Sequence, residues 1–123
     1  MPARVDLRLT GSGAKANSSG SIDNAAATAT FAAAVGTRHF VQGAIASYNV
    51  APATGAKLAT LTYTYNTVVQ TISFQCSLGV WQLYFGNNPI ETDANTAITL
   101  TVPASGTAGI IGSASIYGYS TKD

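Results

Sequence analysis

What most constrains this chain is a two-residue hydrophobic alternation that returns in segment after segment, each time cut off by turn-forming residues. From Lys57 to Tyr65, Ala59, Leu61, Tyr63 and Tyr65 share one face while Leu58, Thr60, Thr62 and Thr64 share the other. From Val69 to Leu78 the pattern repeats, with Ile72, Phe74, Cys76 and Leu78 inward and Thr71, Ser73, Gln75 and Ser77 outward. Successive side chains fall on opposite faces only in an extended chain, so a period of two means strand. Gly109 to Ser120 alternates too, and Arg38 to Tyr48, Val80 to Phe85 and Ile98 to Val102 read as further extended segments. Thr28 to Ala33 joins them: its Ala content favours helix, but Thr28, Thr30, Phe31 and the following Gly36 favour an extended chain. Pro52 and Gly55, Asn66-Thr67, Gly79, Gly86-Asn87-Asn88-Pro89, and Pro103 with Ser105-Gly106 supply the reversals. Seven or eight evenly spaced strands and no helix predict an all-β fold, an antiparallel two-sheet sandwich of jelly-roll or Greek-key type.

One alternating segment stands apart. Arg4-Val5-Asp6-Leu7-Arg8-Leu9 puts Val5, Leu7 and Leu9 on one face and Arg4, Asp6 and Arg8 on the other, and Gly11 to Ser21 then offers mainly small and polar residues. Such a stretch is poor in groups that pack and long for a hairpin, so it reads as a linker. The chain is therefore expected to divide into an N-terminal strand or arm with its linker, residues 1–24, and a sandwich domain, residues 25–123. An amphipathic strand on a tether can add to the sheet edge of a neighbouring subunit, with Arg4, Val5, Leu7, Arg8 and Leu9 forming the contact. The alternative is an ordinary first strand of its own sandwich.

Composition limits the function classes. Charged residues make up 9% of the 123 positions, against about 25% in a typical soluble domain. Charges at the centre of a permanent interface must be desolvated, so surfaces packed against other subunits tend to shed them. Six Lys and Arg are scattered and the net charge is +1, which leaves no basic stripe for nucleic acid. No apolar run is long enough for a membrane helix, and no signal-peptide pattern opens the chain.

The chemistry-bearing residues are few. Catalysis by a hydrolytic triad needs a base and an orienting carboxylate beside a nucleophile, yet the chain has one His, His39, set at the start of a strand where a structural role is expected. Glu91 and Asp93 fall in the turn-rich segment 87–95 and read as solvated loop acids, with a weak calcium site as the alternative. One Cys, Cys76, and one His cannot supply the usual four zinc ligands, and Cys76 reads as a small buried hydrophobe. No enzyme activity and no cofactor are expected. Trp81 and Tyr84 are the aromatic pair most suited to a stacking platform for a ligand, although most rings in alternating strands pack within the sheets.

The Ala-rich segment running into Gly36-Thr37-Arg38-His39-Phe40-Val41, the Thr/Ala/Gly-rich strands, the Pro103-Ala104-Ser105-Gly106 turn and the ending Ile116-Tyr117-Gly118-Tyr119 resemble the small β-sandwich structural proteins of tailed bacteriophage particles. The resemblance covers roughly residues 25–120 and rests on style and element order more than on specific motifs. It implies a virion protein made in the host cytoplasm: a capsid decoration, or cement, protein, commonly a homotrimer, bound to the major capsid protein of the head. The alternative it implies is a tail-fibre or receptor/carbohydrate-binding module.

Overall fold

The structure is a computed structural model that describes residues 14–122, with side chains from Asn24 onward. Nine strands follow one another: β1 (Ala14–Asp23), β2 (Ala27–Phe31), β3 (Thr37–Tyr48), β4 (Lys57–Tyr65), β5 (Val68–Cys76), β6 (Gly79–Tyr84), β7 (Ile90–Glu91), β8 (Ile98–Val102) and β9 (Ile111–Lys122). Their pairing is antiparallel and builds two sheets. The first runs β1-β9-β3-β6, with the two-residue β7 also on β3, and the second runs β2-β8-β4-β5. The expected all-β, two-sheet sandwich is what forms. Leaving β7 aside, the first long strand pairs with the last, the second with the seventh, the third with the sixth and the fourth with the fifth. That nested pairing is the wrapping of a jelly roll.

The inner faces of the two sheets meet in one core. Ala29, Phe31, Leu61, Ile98, Leu100 and Ile116 are among its fully or almost fully buried members. Small residues matter as much as large ones here. Ala44, Ala46 and Ala114 line the middle of β3 and β9, where Cα partners are Ala44 with Ile116 and Ala46 with Ala114. A bulge in β3 lies between Val41 and Gly43. It lets His39 and Val41 point inward before it and Ala44, Ala46 and Tyr48 inward after it, and it frees the Gln42 carbonyl to accept the Phe85 N–H at 2.8 Å. Tyr48 closes one end of the core by donating its hydroxyl to the Pro103 carbonyl.

Three expectations change. The stretch from Gly11 to Ser21, expected to be a linker, is strand from Ala14 onward and pairs with β9 from Ala14 opposite Tyr119 to Asp23 opposite Ile111. An edge strand is held by backbone hydrogen bonds, so a small, polar sequence does not exclude it. Among the described residues, the sandwich thus includes Ala14–Asp23, ahead of residue 25. Segment 87–95, expected to be loop throughout, contains β7, which pairs Ile90 and Glu91 with Val41 and Phe40. Leu78, expected inward at the end of a strand, lies beyond β5 and is exposed. The amphipathic segment Arg4 to Leu9 lies outside the described residues.

Candidate assembly interface

Each sheet ends in an edge strand at the same flank of the sandwich, β5 for one and β6 for the other, joined by the short connection Ser77-Leu78. The sequence sets the character of this flank. From Leu58 to Ile90 there is no Asp, Glu, Lys, Arg or His, where an average soluble segment would be charged at about a quarter of its positions. Edge strands of freely diffusing proteins are usually guarded by charge, proline or a bulge, because an unpaired row of N–H and C=O groups invites another strand. Neither β5 (VVQTISFQC) nor β6 (GVWQLY) carries a charge or a proline, and no bulge interrupts the pairing of either with its one neighbour among the described residues.

Both edge strands and their connection also expose apolar side chains. Val80 is 71% exposed, Tyr84 69%, Val69 66% and Leu78 59%. Strand β6 departs from the alternation that governs the others: Val80, Trp81, Leu83 and Tyr84 put apolar or aromatic groups on both of its faces, and most of it lies open. The core-facing Ile72 and Phe74 of β5 are only partly buried.

Trp81 stands opposite Ala46, whose side chain is in the core, whereas Tyr84 stands opposite Gly43. Three residues apart on a strand, the two rings leave opposite faces of β6, so the structure does not bring them together as one stacking platform. Trp81 is anchored locally, its indole N–H donating to the Leu78 carbonyl at 3.0 Å.

The residues weighed for chemistry are each engaged elsewhere. The ring of buried His39 lies between Ser120 Oγ, 2.7 Å from Nδ1, and the Ala32 carbonyl, 2.8 Å from Nε2. A carbonyl accepts only, so Nε2 carries a proton and donates to Ala32, while Nδ1 shares a hydrogen bond with the Ser120 hydroxyl. Thr92 completes the anchorage, its Oγ1 accepting the His39 N–H at 3.0 Å and its N–H donating to the His39 carbonyl at 2.9 Å. Glu91 and Asp93 do not act as a pair. Glu91 faces Arg38 at 3.4 Å, while Asp93 accepts the backbone N–H groups of Asn66 at 2.9 Å and Thr67 at 2.8 Å. Those two bonds hold the Asp93 carboxyl below its usual range, with Arg38 a smaller contributor. Burial pushes the Cys76 thiol up to about 11. Among the described residues, no three His, Cys, Asp or Glu side chains gather as a metal site would require.

Sequence reasoning did not single out Val69, Leu78 and Val80. Two signals pointed there: the absence of charge from Leu58 to Ile90, and a β6 that is apolar on both faces instead of one. Compared with protein-family models and with curated proteins, the chain matches none.

Proposed function

We propose that this protein is a virion structural protein, a capsid decoration protein that self-associates, as a homotrimer, and binds repeated sites on the major capsid protein of a phage head. The observation that carries this reading is the charge-free, apolar flank where the unguarded edges β5 and β6 lie side by side. Such a surface is costly to leave in water and suits contact with copies of the same chain. Three linked protomers then engage a regular lattice together, so that modest affinity per site becomes firm attachment. The jelly roll fits a particle protein, since capsid subunits use this fold, although lectin domains use it too. Within this reading, the strand Arg4 to Leu9 is an arm that adds to a neighbour's edge, Val5, Leu7 and Leu9 entering alternate pockets.

Quantitative mass spectrometry of purified virions from the source, with the major capsid protein as internal reference, tests it. A fixed ratio corresponding to hundreds of copies per particle is expected. A few copies to a few dozen would move the protein to a tail or fibre, and none would end the virion reading. Removing residues 1–10 is expected to leave a folded protein that no longer assembles, read by circular dichroism and light scattering; an unfolded product would contradict the arm.

A further inference from the structure

Beside the exposed β5/β6 surface, where the chain leaves β6 at Phe85 and β4 turns into β5, the sandwich carries a second feature of different chemistry. Tyr63 and Tyr65, two residues apart on β4, share its inner face near the strand's end. They look across an open cleft of about 370 Å³ at Phe85, Pro89 and Ile90, and Asn88 and Glu91 also line it. The size falls at the lower end of the roughly 300–1,000 Å³ of small-molecule sites. Its walls are fixed. The Phe85 N–H is bonded to the Gln42 carbonyl freed by the β3 bulge, the Asn88 N–H closes the turn on the Phe85 carbonyl at 3.0 Å, and β7 is paired to β3.

The lining sorts the candidate ligands. Three aromatic rings, a proline ring and an isoleucine offer an apolar platform, while two phenol hydroxyls, a carboxamide and a carboxylate offer hydrogen bonds. The carboxylate of Glu91 already faces Arg38, so a cation would have to compete with that guanidinium, and an anion would meet a like charge. A purely apolar ligand would desolvate the Glu91 carboxylate without replacing its hydrogen bonds. A peptide strand finds little free backbone, since β7 has two residues and the next N–H, that of Thr92, is bonded to His39. A pyranose ring meets all these requirements, with a C–H face that stacks on aromatic rings and a rim of neutral hydroxyls that can both donate and accept.

We propose that the cleft lined by Tyr63, Tyr65, Phe85, Asn88 and Glu91 is a binding site for a neutral saccharide, a single pyranose or the end of a short chain. The site is independent of where the protein resides in a particle. A ligand of this size held by a shallow cleft should have a Kd of about millimolar order.

Saturation-transfer NMR on the full-length protein is the test, with a panel of glucose, galactose, mannose, N-acetylglucosamine and their β-linked disaccharides. Transfer to the ring protons of at least one member is expected, weakened about tenfold or more by Tyr65→Ala and by Asn88→Ala. Both side chains are exposed or turn-borne, so both variants should keep the wild-type melting temperature. Val80→Lys, on the β5/β6 flank, should bind the sugar as wild type does, which separates this site from the assembly interface. No transfer from any sugar at concentrations about ten times a millimolar Kd would overturn the proposal. So would transfer undiminished in both cleft variants.

Discussion

At Gly118 the central strands β3 and β9 approach so closely that a methyl group would run into the Phe40 carbonyl oxygen. The obstacle is backbone, so relief requires the two strands to separate. Gly118→Ala is therefore expected to cost about 1–3 kcal/mol through overpacking, read as a lower urea midpoint with an unchanged slope. A second residue-scale effect is alkaline lability. Burial, helped by the neighbouring Cys76, pushes the Tyr48 hydroxyl from 10.0 to about 12, and burial pushes the Cys76 thiol from 9.0 to about 11. Both groups are neutral when protonated, and the folded state keeps their protons to higher pH than the unfolded chain does. The contribution of these two groups to stability should thus be flat below about pH 9 and fall between there and about 12. Melting temperatures across that range check this. Tyr48→Phe should remove the upper part of the fall while lowering stability at neutral pH by about 1–3 kcal/mol, because the Pro103 carbonyl loses its donor. His39 is legible only in part from sequence: its structural role follows from having no partner acid nearby, but its bonds to Ala32 and Ser120 depend on tertiary placement.

Among the elements, the β4–β5 hairpin shows how one carboxylate holds a strained turn. Asn66 and Thr67 both have positive φ, 54° and 63°, as a two-residue hairpin turn of the primed type requires. Asn tolerates this, but a β-branched residue there is an outlier. Left-handed backbone costs a non-glycine residue roughly 1–2 kcal/mol, whereas glycine loses about 0.4–1 kcal/mol through the unfolded state. Thr67→Gly should consequently stabilise by about 0.5–1 kcal/mol, measured by thermal or urea melts; destabilisation would mean that the Thr67 hydroxyl bond to the Asn66 carbonyl matters more than the strain. The long strands β3, β4, β5, β8 and β9 were legible because each alternates polar and apolar groups across a half-buried sheet. Strand β2 was legible through Thr28, Thr30 and Phe31, with Ala27, Ala29 and Phe31 proving to be its buried face. Strands β1 and β7 were not, for a common reason. Neither announces itself by alternation: one lies in a Gly/Ser-rich stretch at the sheet edge and the other has two residues, so both exist because a partner strand is there to pair with.

For the whole molecule, the prediction concerns association. Val80→Lys puts a charge on the open edge and should convert an oligomer to a folded monomer, seen by light scattering with the far-ultraviolet spectrum unchanged. Because the flank lacks charge, wild-type association should also survive about 1 M salt, where screening acts within about 3 Å. Dissociation under those conditions would show that ion pairs, not apolar contacts, hold the copies together. The charge-free run from Leu58 to Ile90 was visible in the sequence, but its meaning was not, because only the pairing order puts the two edges β5 and β6 at one flank. That same nested order has a consequence for the birth of the protein. The fourth and fifth strands are neighbours and can zip together as soon as they are made, whereas β1 must wait for the last, β9, its partner among the described residues. Non-local pairing of this kind is slow. Throughout that wait the growing chain displays its least charged and most adhesive stretch, so synthesis at high level should favour aggregation through β4 to β6 over folding, and slower synthesis should raise the soluble yield.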